Sequence, residues 1–184
     1  MKKICSMVCM ACITLLLFCG CCLTYSFESE GNMDFGYSKI ERNAYIAICT
    51  VSCKEKAEIF IPDEYKGYPV TELGGYFGRG VPCPFGVDIV DKNEPFHEQE
   101  GEEYGEDFIV YVHIGKNIRK AKYLSCTDEF FRSEDGAAHH VVFYFIVSED
   151  NAFFTSENGV LYDRATNAPV PKIDYASGSS VLPD

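Results

Sequence analysis

The sequence predicts a mainly β fold with short helices, in which strands stack and long loops are inserted between them. Three observations lead there. Runs rich in Ile, Val, Tyr and Phe recur along the chain, each closed by Gly, Pro or Asn. A pattern of strand, tight turn and small apolar hook occurs twice. Between the two copies lies a long Gly- and Pro-rich segment with an acidic run.

The first 22 residues stand apart from that fold. Lys2 and Lys3 precede an apolar stretch from Ile4 to Phe18, and Cys19-Gly20-Cys21-Cys22 follows. A basic start, a short apolar stretch and small residues at the exit describe a secretory signal. The stretch is too short for a membrane helix, which needs ~20 residues to cross ~30 Å of hydrocarbon. The segment resembles a bacterial lipoprotein signal cut before Cys21, in which that cysteine is lipidated and becomes the new N-terminus. Phe18 stands where leucine is usual and Cys19 where a small residue is, and Cys22 is the alternative acceptor. A buried hydrophobic helix would not explain why six of the ten cysteines crowd at one end. The resemblance implies an exported protein, anchored to the membrane at a bacterial cell surface.

Residues 23–36 are read as a tether, because Tyr25 to Gly36 is polar and Gly-containing. The binding domain is then 37–184. Ala44 to Val51 reads as a strand, and Ala57-Glu58-Ile59-Phe60-Ile61 as a second, closed by Pro62-Asp63. Lys66-Gly67-Tyr68-Pro69 is a turn, and Val70 to Gly74 is a short apolar element. From Gly78 to Asp107 the chain is loop-like, with the acids Glu98, Glu100, Glu102, Glu103, Glu106 and Asp107 inside it. Loops of this length are usually functional or disordered.

Phe108 to Ile114 is an unbroken apolar run, and such runs belong to strands covered on both faces. Lys116 to Ser125 reads as a short helical or irregular return, and Thr127 to His140 as room for one or two helical turns. Val141 to Val147 is the strongest strand. Asn158-Gly159 is a hairpin signal, followed by the short strand Val160-Leu161-Tyr162.

Composition narrows the function. Hydrophobic residues make up 47% of the chain, enough for one core. The net charge is −12, and −14 without the leader, whose only charges are Lys2 and Lys3. Such a surface repels phosphate backbones and anionic lipid, so nucleic acid is not an expected partner and membrane contact comes through the anchor. Trp is absent, while 12 Tyr and 14 Phe supply either core or a wet binding surface. The cysteines outside the leader, Cys49, Cys53, Cys83 and Cys126, permit two disulfides in three pairings or remain free thiols. Cys49 and Cys53 also form a Cys-x3-Cys pair, but no second close pair completes a zinc site.

The two copies of the repeated pattern run from Ile59-Phe60-Ile61-Pro62 to Gly74 and from Val112-His113-Ile114-Gly115 to Ala121. One such unit cannot bury its own apolar face, so units must stack as a solenoid. Side-by-side parallel packing of strands 57–61, 108–114 and 141–147 is what this reading requires. Ile61-Pro62-Asp63 with Gly67-Tyr68-Pro69-Val70-Thr71-Glu72-Leu73-Gly74 resembles the opening unit of the BspA-type (treponemal) leucine-rich-repeat surface proteins. Val147 to Asn151, leading to Ser156-Glu157-Asn158-Gly159-Val160-Leu161-Tyr162-Asp163, resembles a second segment of that family. The resemblance implies a leucine-rich-repeat-like solenoid and an adhesion or host-facing binding role, toward a protein or a glycan. The strand spacing exceeds the ~20–29 residues of true leucine-rich repeats. The family's Ala-Phe pair is present only as Tyr76-Phe77. Ser180 to Asp184 resembles the start of another strand unit, or a strand closing the stack.

Catalytic signatures are scarce. His97-Glu98-Gln99-Glu100-Gly101 begins like a zinc-protease helix without its second His. His139 and His140 are adjacent and face opposite sides of a strand, so they do not chelate together. The acidic loop suits a hard cation such as Ca²⁺ but lacks EF-hand spacing. The reading is therefore a binding module with no catalytic residues and no cofactor. The alternatives are a secreted hydrolase using acids of the 98–107 loop and a structural envelope lipoprotein.

Overall fold

In a computed structural model of the chain, the described residues are 25–52, 58–74, 85–88, 104–121, 130–132, 137–173 and 180–181. The architecture is mainly β, and none of the described residues is helical. The first strands are β1 (Ser26–Glu30), β2 (Met33–Ser38) and β3 (Asn43–Ser52). They are followed by β4 (Glu58–Phe60), β5 (Glu64–Tyr65), β6 (Tyr68–Leu73), β7 (Phe85–Asp88), β8 (Phe108–Ile114) and β9 (Lys120–Ala121). The remainder are β10 (Phe130–Arg132), β11 (Ala138–Val147), β12 (Phe154–Glu157), β13 (Val160–Asp163), β14 (Ala168–Pro169), β15 (Lys172–Ile173) and β16 (Ser180–Val181).

Residues 26–36, expected as a tether, are instead the antiparallel hairpin β1–β2, paired onward to β3. Gly31 at φ +61° makes the turn. Phe35 and Tyr37 of β2 enter the core, whereas every residue of β1 is exposed. Hydrogen bonds to β2, not burial, hold β1 in place, which is why its polar composition reads as linker.

β3 pairs in parallel with β6, and β6 with β9, within a seven-stranded sheet that curls into a half-barrel. A second sheet runs β10-β11-β8-β4, with β4, β8 and β11 mutually parallel. Ile59, Val112 and Phe145 fall in one row, and Phe60, His113 and Ile146 in the next. This parallel order is the one the repeat requires. A three-stranded parallel sheet is nevertheless a coarser statement than a leucine-rich-repeat coil. Val112 lies 53 residues after Ile59 and Phe145 lies 33 after Val112, beyond the ~20–29-residue period of such repeats.

The core lies between the two sheets. Phe35, Ala44, Ile46, Val70 and Leu73 from the first pack in one cluster with Ile59, Val110, Val112, Ile114 and Phe145 from the second. Phe85 of β7 bridges them, its ring centroid 5.8 Å from those of both Phe143 and Phe145.

The ends of the parallel strands turn in register. The Asn117 side chain donates to the carbonyl of Asp63 at 3.1 Å, tying the second turn to the first. Asn151 ties the third turn to the second, its Nδ2 donating to the carbonyls of Gly115 at 2.7 Å and Ile118 at 3.1 Å. Its Oδ1 accepts from the backbone amides of Phe153 and Phe154, both at 2.8 Å. Asn151 is 2% exposed, so each of these four bonds satisfies a group away from water. At Gly115 a Cβ would sit 2.3 Å from Asp63 Oδ1, so any larger residue there would have to displace that exposed side chain.

The hairpin signalled at Asn158-Gly159 forms, and the turn read over residues 66–69 narrows to Lys66-Gly67, with Tyr68 and Pro69 already in β6. Lys66-Gly67 joins β5 to β6 and Asn158-Gly159 joins β12 to β13, each with two successive positive φ angles (52° and 78°, 50° and 83°). That is the two-residue turn whose twist matches its strands. The return after β8 is a turn at 116–117 followed by β9, and the expected helical turns within 127–140 give way to β10 and the start of β11 where residues are described. Ser180-Val181 does not extend the parallel sheet but pairs antiparallel with Lys172-Ile173.

Candidate binding face

β8 and β11 are apolar on both sides, but only one side is covered. Burial along β8 alternates, with Val110, Val112 and Ile114 enclosed and Ile109, Tyr111 and His113 turned outward. The expectation that both faces are covered is thereby corrected for the described residues. A two-sided apolar run records the chemistry of both faces and not what lies upon them.

The outer face has three rows. Phe60, His113 and Ile146 form the first, Glu58, Tyr111 and Tyr144 the second, and Ile109 with Val142 the third. Phe60 is 60% exposed, Ile109 41%, Ile146 39% and Val142 36%, so four of the seven exposed large hydrophobics of the described residues share this face. Scattered exposed apolar residues are ordinary, whereas contiguous ones mark interaction sites.

The rings are held in place. Phe60 stacks on His113 with centroids 4.2 Å apart at 8°. Tyr111 and Tyr144 meet at 5.4 Å and 56°. The β12–β13 hairpin positions Tyr144 from the side: a Cβ on Gly159 would lie 2.3 Å from its ring, and the Gly159 carbonyl accepts from Phe145 N at 2.9 Å. The bare Asn158-Gly159 turn therefore does two jobs, reversing the chain and seating the ring. His113 Nε2 is enclosed and has no hydrogen-bond partner among the described residues. An enclosed nitrogen without a partner costs stability, and such groups concentrate where a protein acts.

Other candidates from the sequence fall elsewhere. Cys21 and Cys22, the lipidation candidates, lie outside the described residues, as do Cys53, Cys83, Cys126, His97, Tyr76-Phe77 and the acids from Glu98 to Glu103. Cys49 is a free thiol, fully buried on β3, and burial pushes it up to about 12. Such a thiol is inert at neutral pH. Glu106 and Asp107 are exposed just before β8. His139 Nδ1 donates to the Glu106 carbonyl at 2.7 Å, and the His140 ring stacks on Tyr104 at 3.8 Å, so the two histidines are engaged separately.

A second aromatic group lies on the first sheet. Phe35 stacks on Tyr65, and Tyr37 meets both Tyr65 and Tyr68, with Lys66 Nζ 5.1 Å from the Tyr37 ring centroid. Glu28 pairs with Lys66 and accepts from Tyr37 Oη at 2.9 Å. The Lys66 hydrogen bond, then that of Tyr37, lowers the Glu28 carboxyl below its ordinary range. This group is closed on itself, and it staples β1 to the β5–β6 turn.

Fold and face together define a mainly β domain that carries an exposed aromatic and aliphatic surface on a short parallel sheet. No family model, curated protein or solved structure matches the chain.

Proposed function

We propose that the chain is a lipid-anchored interaction module at the cell surface, a short and degenerate relative of the BspA-type leucine-rich-repeat proteins, binding a protein or glycan partner without catalysis. The observation that carries the binding role is the contiguous outer face of β4, β8 and β11. A soluble domain gains nothing by leaving Phe60, Ile109, Val142 and Ile146 in water together, because burying each would stabilise by roughly 1.5–3 kcal/mol. Their persistence on one rigid sheet supports a surface covered by a partner. The in-register turns tied by Asn117 and Asn151 support the solenoid relationship.

The test is adhesion. Cells displaying the chain are assayed on a panel of immobilised extracellular proteins and glycans. The paired substitution Phe60→Ser and Ile146→Ser should remove the adhesion at equal surface density, and undiminished adhesion would refute the role of this face. For the anchor, Cys21→Ala should abolish metabolic lipid labelling. Labelling that survives it but disappears in Cys22→Ala moves the anchor by one residue.

A further inference from the structure

We propose that the outer face of β4, β8 and β11 docks a basic protein segment, with apolar or aromatic side chains at its centre and lysine or arginine around them. The inference rests on the reading of this face as the binding surface and adds the chemistry of the partner.

The first argument is the charge pattern of the face. Its eight outward positions hold one carboxylate, Glu58, and no lysine or arginine. Among the described residues, exposed acids flank the strand ends: Glu106 and Asp107 before β8, and Asp63, Glu149 and Asp150 at the stacked turns, against the cations Lys116 and Arg119. An apolar floor inside a charged rim is how recognition surfaces are built, and an excess of one sign in the rim favours the opposite sign.

The second argument is the row Glu58, Tyr111, Tyr144. A guanidinium or ammonium held against this row meets the Tyr111 and Tyr144 rings, whose centroids are 5.4 Å apart. Aromatic faces attract cations, more strongly as water is excluded. The third argument is exclusion. With a net charge of −12, a second copy is repelled at long range, and the same field steers cationic partners inward.

The experiment uses the full chain and three polymers of equal length: poly(Lys,Tyr), polylysine and poly(Glu,Tyr). Polylysine reports net charge alone. Poly(Lys,Tyr) should bind about tenfold tighter than polylysine, the scale of one interface hot spot. Phe60→Ser should erase that gain and leave polylysine binding unchanged; Ile146→Ser repeats the test from the next strand but one. Equal binding of the two basic polymers, or a gain that survives both substitutions, overturns the proposal. Phe60-dependent binding of poly(Glu,Tyr) also overturns it, while leaving the face as a binding surface. Self-association in sedimentation that Phe60→Ser abolishes would assign the face to a second copy instead. If no binding of any kind depends on the face, both the proposal and the underlying reading fall.

Discussion

Two of the chain's aromatic groups are used differently. On the first sheet, Phe35 and Tyr65 stack at 3.9 Å and 3°, both under 7% exposed, with Tyr37 alongside and its hydroxyl bonded to Glu28. On the parallel sheet, Phe60 stacks on His113 with similar geometry, yet Phe60 is 60% exposed and His113 Nε2 has no partner among the described residues. Ring stacking is common to both. Closure distinguishes them: in the first group the stacked rings are buried and the Tyr37 hydroxyl is bonded to Glu28, whereas in the second Phe60 faces water and the enclosed His113 Nε2 lacks a partner among the described residues. We assign stability to the first and propose recognition for the second.

If that division is right, truncation should cost most in the closed group. Phe35→Ala should lose about 3–5 kcal/mol in chemical denaturation, the usual cost of emptying a buried aromatic site. A loss under about 1 kcal/mol would erase the contrast. Asn151→Ala comes next, at about 3 kcal/mol, because it leaves buried carbonyls and amides of two turns without partners. Gly159→Ala should cost about 2 kcal/mol, since its φ of +83° suits glycine and a Cβ meets the Tyr144 ring. It should also weaken binding, because Tyr144 must move.

Cys49 sharpens the contrast from the closed side. Burial raises the thiol from its ordinary 9.0 to about 12, so the folded protein keeps a proton that the unfolded chain releases. Its contribution is full below pH 9 and is lost as pH rises through 12. The native thiol should not react with a disulfide reagent at pH 8, and prompt reaction would place Cys49 at the surface. The smallest effect belongs to Phe60→Ser, which should shift stability by no more than about 0.5 kcal/mol. A larger loss would make Phe60 part of the core.

Much of this was legible in the sequence, for identifiable reasons. Val141 to Val147 and Phe108 to Ile114 read as strands because β-branched and aromatic residues fill them. Asn158-Gly159 reads as a hairpin because few dipeptides tolerate two positive φ angles, and Lys66-Gly67-Tyr68-Pro69 reads as a turn because it holds Gly and Pro. The β1–β2 hairpin was hidden, since backbone pairing leaves no apolar signature when all of β1 faces water. The helical turns expected within 127–140 are strand where described, and the helical or irregular return expected at 116–125 is a turn leading into β9, because pairing to β11 and β6 overrides weak local preference. The candidate face was legible only as composition. Two apolar sides of β8 and β11 announce two contacts, and only the fold reveals that, among the described residues, the second is exposed.

The most direct test of that open face is hydroxyl-radical footprinting of the displayed chain before and after adhesion. Phe60, Tyr111 and Tyr144 should become protected while the exposed Phe27 and Phe153, on other strands and turns, are labelled as before. Protection confined to Phe27 or Phe153, with Phe60 still fully labelled, would contradict the assignment of recognition to the parallel sheet.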